Sequence, residues 1–432
     1  MEPPAAAHSD PPPGRPGEIF AWAMYDWANS AYSTLLITIV LHYLQEVVLP
    51  GKWGPLVYAW GISVSMFIAA VLSPIVGALA DANRSKRRWL AGTALCGASA
   101  AVLMASFSKD QVALIVGSFV LMNICFDLSL VPYNGFLPEI TNRETINRVS
   151  AWGYALGYLG GSVPLLIAGL IVLNGEKWGL PDAASQDRVG ILILGLWWGI
   201  FTLPALGILR DRGTPPESRE PIHRAARGAL RQVGRTMANV RVYPTLSLFL
   251  LAFLCYNDGV QSVITQATTL ANKKLSFSIV ELFLLVLIIQ AVALPGALLI
   301  GWLSDRWGQK PVLLGCLGVW IGLLVAVPFV ERKLQFWIMG FVLALVLGGT
   351  QSVSRAIMGL MTPQKHAAEF FGFFNLSGKA ASFLGPALFG LIIWWTNDVG
   401  LASFSLLIFF LIGWVIVVRI NVETGRQQAL HA

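Results

Sequence analysis

Asp26, Asn29, Ser30 and Ser33 stand in the stretch MYDWANSAYST, inside a segment otherwise apolar enough to cross a bilayer. Read as a helix, they fall at i, i+3, i+4 and i+7 and share one face. The stretch CYNDGVQSVITQ repeats the pattern with Asp258, Gln261, Ser262 and Thr265, its acid 232 residues further on (258 − 26). An acid, an amide and two hydroxyls on an apolar helix can hold a polar solute, pass a proton or bind neighbouring helices. A carboxylate near the bilayer centre costs about 2.5–3.5 kcal/mol on insertion scales, so it needs water or a partner. The solute or proton pathway is the leading reading. The competing one is interhelical hydrogen bonding, at about 0.6 kcal/mol per bond.

Two more charges fall in apolar runs: Asp127 in NICFDLSLVPYNGFLPE and Lys379 in FFNLSGKAASFLGP. Lys379 reads as the one cation within a span, facing three acids, so an ion pair that exchanges partners is expected, with Asp258 as its partner. A purely structural pair is the alternative. For Asp127 the alternative is a helix ending in a polar gate beside Tyr133 and Asn134.

Long apolar helices must carry these residues. Of the 432 residues, 56% are hydrophobic and 12% charged, against about 25% charged in a soluble domain, which indicates a polytopic membrane protein. The formal net charge of +7 is spread over short stretches between apolar runs. That pattern suits lipid headgroups and membrane orientation, not nucleic acid. Breaking the chain at its charge, Pro and Gly clusters predicts spans over 20–48, 56–80, 89–108, 111–135, 148–173, 190–209, 244–270, 279–303, 311–330, 334–359, 369–396 and 400–420. An all-α protein of twelve transmembrane helices follows.

The implied organisation is a disordered tail over 1–19, six helices over 20–209, a linker over 210–243, six helices over 244–420 and a tail over 421–432. The N-terminus is polar and proline-rich and is expected to carry no cleavable signal. Lys and Arg concentrate on the side of the two ends, which places both termini in the cytosol, in a bacterial plasma membrane. The linker reads as partly helical and basic in its second half, with a lipid or protein site there as a second reading.

The halves repeat. GALAD at 77–81 and GWLSD at 301–305 each close a second span and precede basic residues, and GYALGYLGG at 153–161 matches GKAASFLGP at 378–386. Asp81 with Arg84, and Asp305 with Arg306 and Lys310, are expected to form cytosolic gate contacts that break when that face opens. A solvated loop that only sets topology is the alternative. A parallel duplication of six-helix units is the architecture of major facilitator transporters.

YDWANSAYST, PYNGFLPEI at 132–140, NRVSAWGYALGYLGG at 147–161 and EFFGFFNLSGKAASFLGP at 369–386 carry a family resemblance. They closely resemble the major facilitator branch of the autophagy-related vacuolar amino-acid effluxers of fungi and their bacterial relatives. The resemblance implies two pseudo-symmetric six-helix halves, secondary transport and, for the fungal members, amino-acid export. The compact linker looks like the bacterial type.

Other function classes lack their residues. Histidines 8, 42, 223, 366 and 431 give no metal-ligand spacing, and the four cysteines show no CxxC. GFFNLSGKA at 372–380 lacks the Ser/Thr of a phosphate loop. The expectation is a non-enzymatic monomer without cofactor or metal, whose partners are a small-molecule solute, protons and lipid. Asp26 or Asp258 would carry the proton, and an amino acid or small peptide is the first substrate. A lipophilic, drug-like cation is the alternative, and a non-transporting receptor the rival of another class.

Overall fold

The computed structural model of the chain describes residues 14–212, 222–238, 242–380 and 384–431. Among these residues twelve helices are long and apolar enough to cross a membrane. The first half holds α1 (Pro16–Val48), α2 (Trp53–Ala82), α3 (Lys86–Ser106), α4 (Val112–Ile140), α5 (Ile146–Trp178) and α6 (Ala183–Ile208). The second holds α7 (Pro244–Leu275), α8 (Ile279–Trp307), α9 (Gln309–Phe329) and α10 (Lys333–Met361). It continues with α11, described over Ala367–Ala380 and Leu384–Thr396, and α12 (Val399–Arg419). A helix over Ile222–Ala238 lies in the linker and another, Val422–Leu430, follows α12. The expected tail over 1–13, linker residues 213–221 and 239–241, Ala381–Phe383 of the second GKAASFLGP copy, and Ala432 lie outside the described residues.

Helix ends follow local chemistry. Ser278 Oγ accepts the Glu281 N–H at 3.2 Å while the Glu281 carboxylate accepts the Ser278 N–H at 2.7 Å, closing a reciprocal cap on α8. Asp398 Oδ1 caps α12 by accepting from the N–H groups of Gly400 and Leu401. The third span starts at Lys86, not at 89 as the charge cluster suggested. Lys86 can enter the helix because two carboxylates meet it there.

The duplication extends to the backbone. Arg84, between α2 and α3, has φ +46°, and Gly308, between α8 and α9, has φ +85°. They are 224 residues apart (308 − 84), the same offset that separates GALAD from GWLSD (301 − 77). Both loops turn through the left-handed region, which glycine enters freely and arginine at a cost.

Each half has its own apolar core, one centred on Trp22, Tyr43, Phe119 and Trp198, the other on Phe249, Trp320, Phe371 and Phe410. Large apolar side chains such as Phe67, Leu173 and Trp394 cover the outside, where hydrocarbon suits them. Inside the first half, α5 approaches α1 through glycines. A Cβ at Gly153, Gly157 or Gly160 would collide with Asp26, Ser30 and the Trp27 backbone respectively. Such close backbone approach is how helices gain dispersion contacts in lipid. Pro164, Pro295 and Pro74 lie within their helices, and the chain remains helical through them.

We expect Gly160→Ala to lower the thermal unfolding midpoint in detergent by several degrees, since overpacking costs about 1–3 kcal/mol. Gly207→Ala, whose Cβ would meet open space on α6, is the control and should leave it unchanged. Equal midpoints for the two variants would show that the α1–α5 contact does not depend on the glycine.

Candidate functional site

The acid of the first polar stripe meets a cation of the second half. Asp26 Oδ2 accepts from Arg355 Nη1 of α10 at 3.0 Å, joining the halves. Arg355 is 3% exposed, and each of its three side-chain nitrogens donates a hydrogen bond. Its Nε donates to Ser150 Oγ at 3.0 Å and its Nη2 to the Ser150 carbonyl at 2.7 Å. The guanidinium carbon lies 4.1 Å from the Tyr154 ring centre and 4.7 Å from that of Trp22. This aromatic cage and bidentate geometry suit arginine and not lysine.

Further along α1, Asn29 is buried, and its Nδ2 has no hydrogen-bond partner among the described residues. Ser30 lies against Gly157 of α5, and Ser33 is exposed. The stripe therefore splits into an inter-half ion pair, an unpartnered amide and a helix contact.

Lys379 also departs from expectation. Its Nζ lies 2.8 Å from Asp127 Oδ1 of α4, not beside Asp258. Lys379 sits on α11, twelve residues after its first described residue Ala367 (379 − 367), and its side chain is 22% exposed. Asn375, one turn earlier, donates to Ser73 Oγ at 2.8 Å and to the Asp127 carbonyl at 3.1 Å. Asp127 thus stands in a polar contact between halves, and the helix does not end at it but continues through Tyr133 and Asn134.

Asp258 is fully buried, and neither carboxylate oxygen has a hydrogen-bond partner among the described residues. Ser262, one turn on, is buried and likewise unpartnered. Both lie against Gly385 of α11, where a Cβ would collide with Ser262 Oγ. Gln261 is half-buried, and Thr265 is exposed with its hydroxyl donating back to the Gln261 carbonyl at 3.0 Å. The second stripe therefore turns toward α11, as the first turns toward α5.

The expected gate residues divide as well. Asp81 pairs with Lys86 at 3.0 Å, not with Arg84, and Lys86 also reaches Glu139 at 2.7 Å. Asp81 Oδ2 accepts the Glu369 N–H at 2.8 Å, so a first-half carboxylate meets the start of α11 across the interface. Arg84 instead donates to the Arg212 carbonyl at 2.9 Å. Nearby, burial pushes the Asp211 carboxyl above the usual range. Asp305, in the second half, accepts from Asn147 Nδ2 at 3.0 Å. Arg306 lies over the Trp302 ring and Lys310 donates to the Val418 carbonyl, so neither serves Asp305.

All these inter-half contacts lie between mid-membrane and the side of the chain ends. Arg355, Glu139 and Glu369 escaped sequence reasoning. Arg355 stands within the expected span 334–359, in GGTQSVSRAIMG, but only four residues from its end (359 − 355), where an arginine reads as an interfacial anchor.

Removing Arg355 should strand Asp26. Arg355→Leu is expected to destabilise by about 3–5 kcal/mol, seen as a large drop in thermal midpoint, and Asp26→Asn combined with it should recover part of the loss. Additive effects in this double-mutant cycle would disprove the coupling.

The comparisons agree with this architecture. The family profile described as Vacuole effluxer Atg22 like matches residues 57–430. The uncharacterized MFS-type transporter YxiO of Bacillus subtilis is 33% identical over 413 residues, covering 94% of this chain and 95% of YxiO. Autophagy-related protein 22-1 of Penicillium rubens is 25% identical over 303 residues, and this chain spans about half its length, 50%. The crystal structure of the major facilitator transporter FucP in the outward conformation has a TM-score of 0.74 at 12% identity, covering 94% of this chain and 98% of FucP. The chain is a multi-pass membrane protein of the Atg22-like effluxer family, a secondary transporter of the major facilitator superfamily.

Proposed function

We propose that the chain moves an amino acid or small peptide across a bacterial plasma membrane by alternating access, coupled to protons, as a monomer with both termini cytosolic. The observation that carries this reading is the origin of the two buried ion pairs between the halves. Each takes its acid from the first half and its cation from the second: Asp26 with Arg355, Asp127 with Lys379. A zwitterion can replace such a pair, its ammonium taking the acid and its carboxylate taking the cation, so burial leaves no charge uncompensated. Asp127 and Lys379 are the pair that solute displaces, because Lys379 is accessible. Asp26 and Arg355, wholly sequestered, hold the cytosolic side shut.

Asp258 takes and releases the proton in this scheme. It is a buried carboxylate without a cation beside it among the described residues, so its ionised form needs water that only one face supplies at a time. Asp81 on Glu369 and Asp305 on Asn147 act as paired cytosolic latches. The same lone acid favours a second reading, a lipophilic cation bound at Asp258.

Thermal-shift screening of purified protein discriminates the two. Amino acids or short peptides should raise the midpoint in wild type and fail in Lys379→Gln; stabilisation by lipophilic cations alone would overturn the zwitterion reading. In proteoliposomes, Asp258→Asn should remove the effect of a pH gradient on uptake while leaving exchange of the solute. Unchanged pH dependence would refute the proton role.

A further inference from the structure

The linker helix Ile222–Ala238 has two sharply different faces. On one, Ala229 is buried against Ala78 and Leu79 at the end of α2, with Val233 and Trp89 packed beside them. Val233 also touches the core of the second half, and Thr236 donates to Glu369 Oε1 of α11 at 2.6 Å. The helix therefore lies across both halves at the level where α2 leaves the apolar layer. On its other face, Arg227, Arg231 and Arg235 are exposed at i, i+4 and i+8, forming one ridge. None has an ion-pair partner among the described residues. Leu230, 53% exposed, flanks that ridge at i+3 from Arg227, and Arg87 and Arg88 are exposed at the start of α3.

We propose that this ridge binds the headgroups of anionic phospholipids. Arginines spaced one turn apart can each take a phosphate through paired donors. An exposed leucine among them suits the boundary between headgroups and acyl chains, where an amphipathic helix buries its apolar residues. A soluble acidic partner would match the arginines but leave Leu230 in water, so charge and apolarity together favour lipid. Cations near an anionic surface act within a Debye length, about 8–10 Å, and the helix rests where α2 ends, at that depth. Lipid held there fastens the helix over Glu369, whose N–H already meets Asp81. Anionic lipid thus steadies the closed terminal face.

The test is hydrogen–deuterium exchange of the full chain in nanodiscs of phosphatidylcholine alone or with about a third phosphatidylglycerol. Backbone amides over 222–238 should exchange about tenfold more slowly with phosphatidylglycerol. The triple variant Arg227→Gln, Arg231→Gln, Arg235→Gln should lose that difference, whereas the corresponding triple Lys variant should keep it and show that folding is intact. Equal exchange in the two lipids, or an undiminished difference in the Gln variant, overturns the proposal. Equal protection by heparin added to phosphatidylcholine discs would also overturn it, since a soluble polyanion would then suffice.

Discussion

An ionised side chain in hydrocarbon survives only beside a counter-charge or water, and this constraint organises the interface between the two halves. Neither half is electrically satisfied alone. Asp26 and Asp127 need Arg355 and Lys379, and these cations come from helices that sequence places more than 200 positions away. Separating the halves on the terminal side must therefore strand charges, unless water or a solute takes the vacated places. Breaking a buried pair without replacement costs about 3–5 kcal/mol. A transporter needs such a barrier to be high with an empty site and low with a filled one.

Backbone approach makes the pairing possible. Glycines at 153, 157 and 160 let α5 lie against α1, and Gly153 leaves the space in which Asp26 and Arg355 meet. Gly77 and Gly372 do the same between α2 and α11, each against backbone of the other half. Close contact of this kind gains dispersion energy only while geometry is kept. It also brings Asp81 to the Glu369 N–H. The polar latch and the small-residue contact thus depend on each other.

The two halves have diverged around a common plan. Asp81 and Asp305 occupy equivalent places, yet one belongs to a buried triad with Lys86 and Glu139 while the other is exposed and accepts from an amide. Asp26 has a cation; Asp258, its counterpart, has none among the described residues. The duplicated acids have therefore become unequal: one joins the halves through an ion pair, and the other is buried without such a partner among the described residues. The linker helix adds a further bridge that has no counterpart in the repeat.

Composition and the spacing of apolar runs determined the twelve helices, because a fixed hydrocarbon thickness demands about 20 apolar residues per crossing. Internal offsets determined the duplication, and charge inside apolar runs marked Asp26, Asp127, Asp258 and Lys379 as unusual. Tertiary structure alone decided who meets whom. Lys379 goes to Asp127, Asp26 to Arg355 and Asp81 to Lys86, because partners are chosen by helix packing across hundreds of residues. Helical periodicity specifies a face, but only the neighbours of that face say whether it meets a cation, a glycine or a cavity.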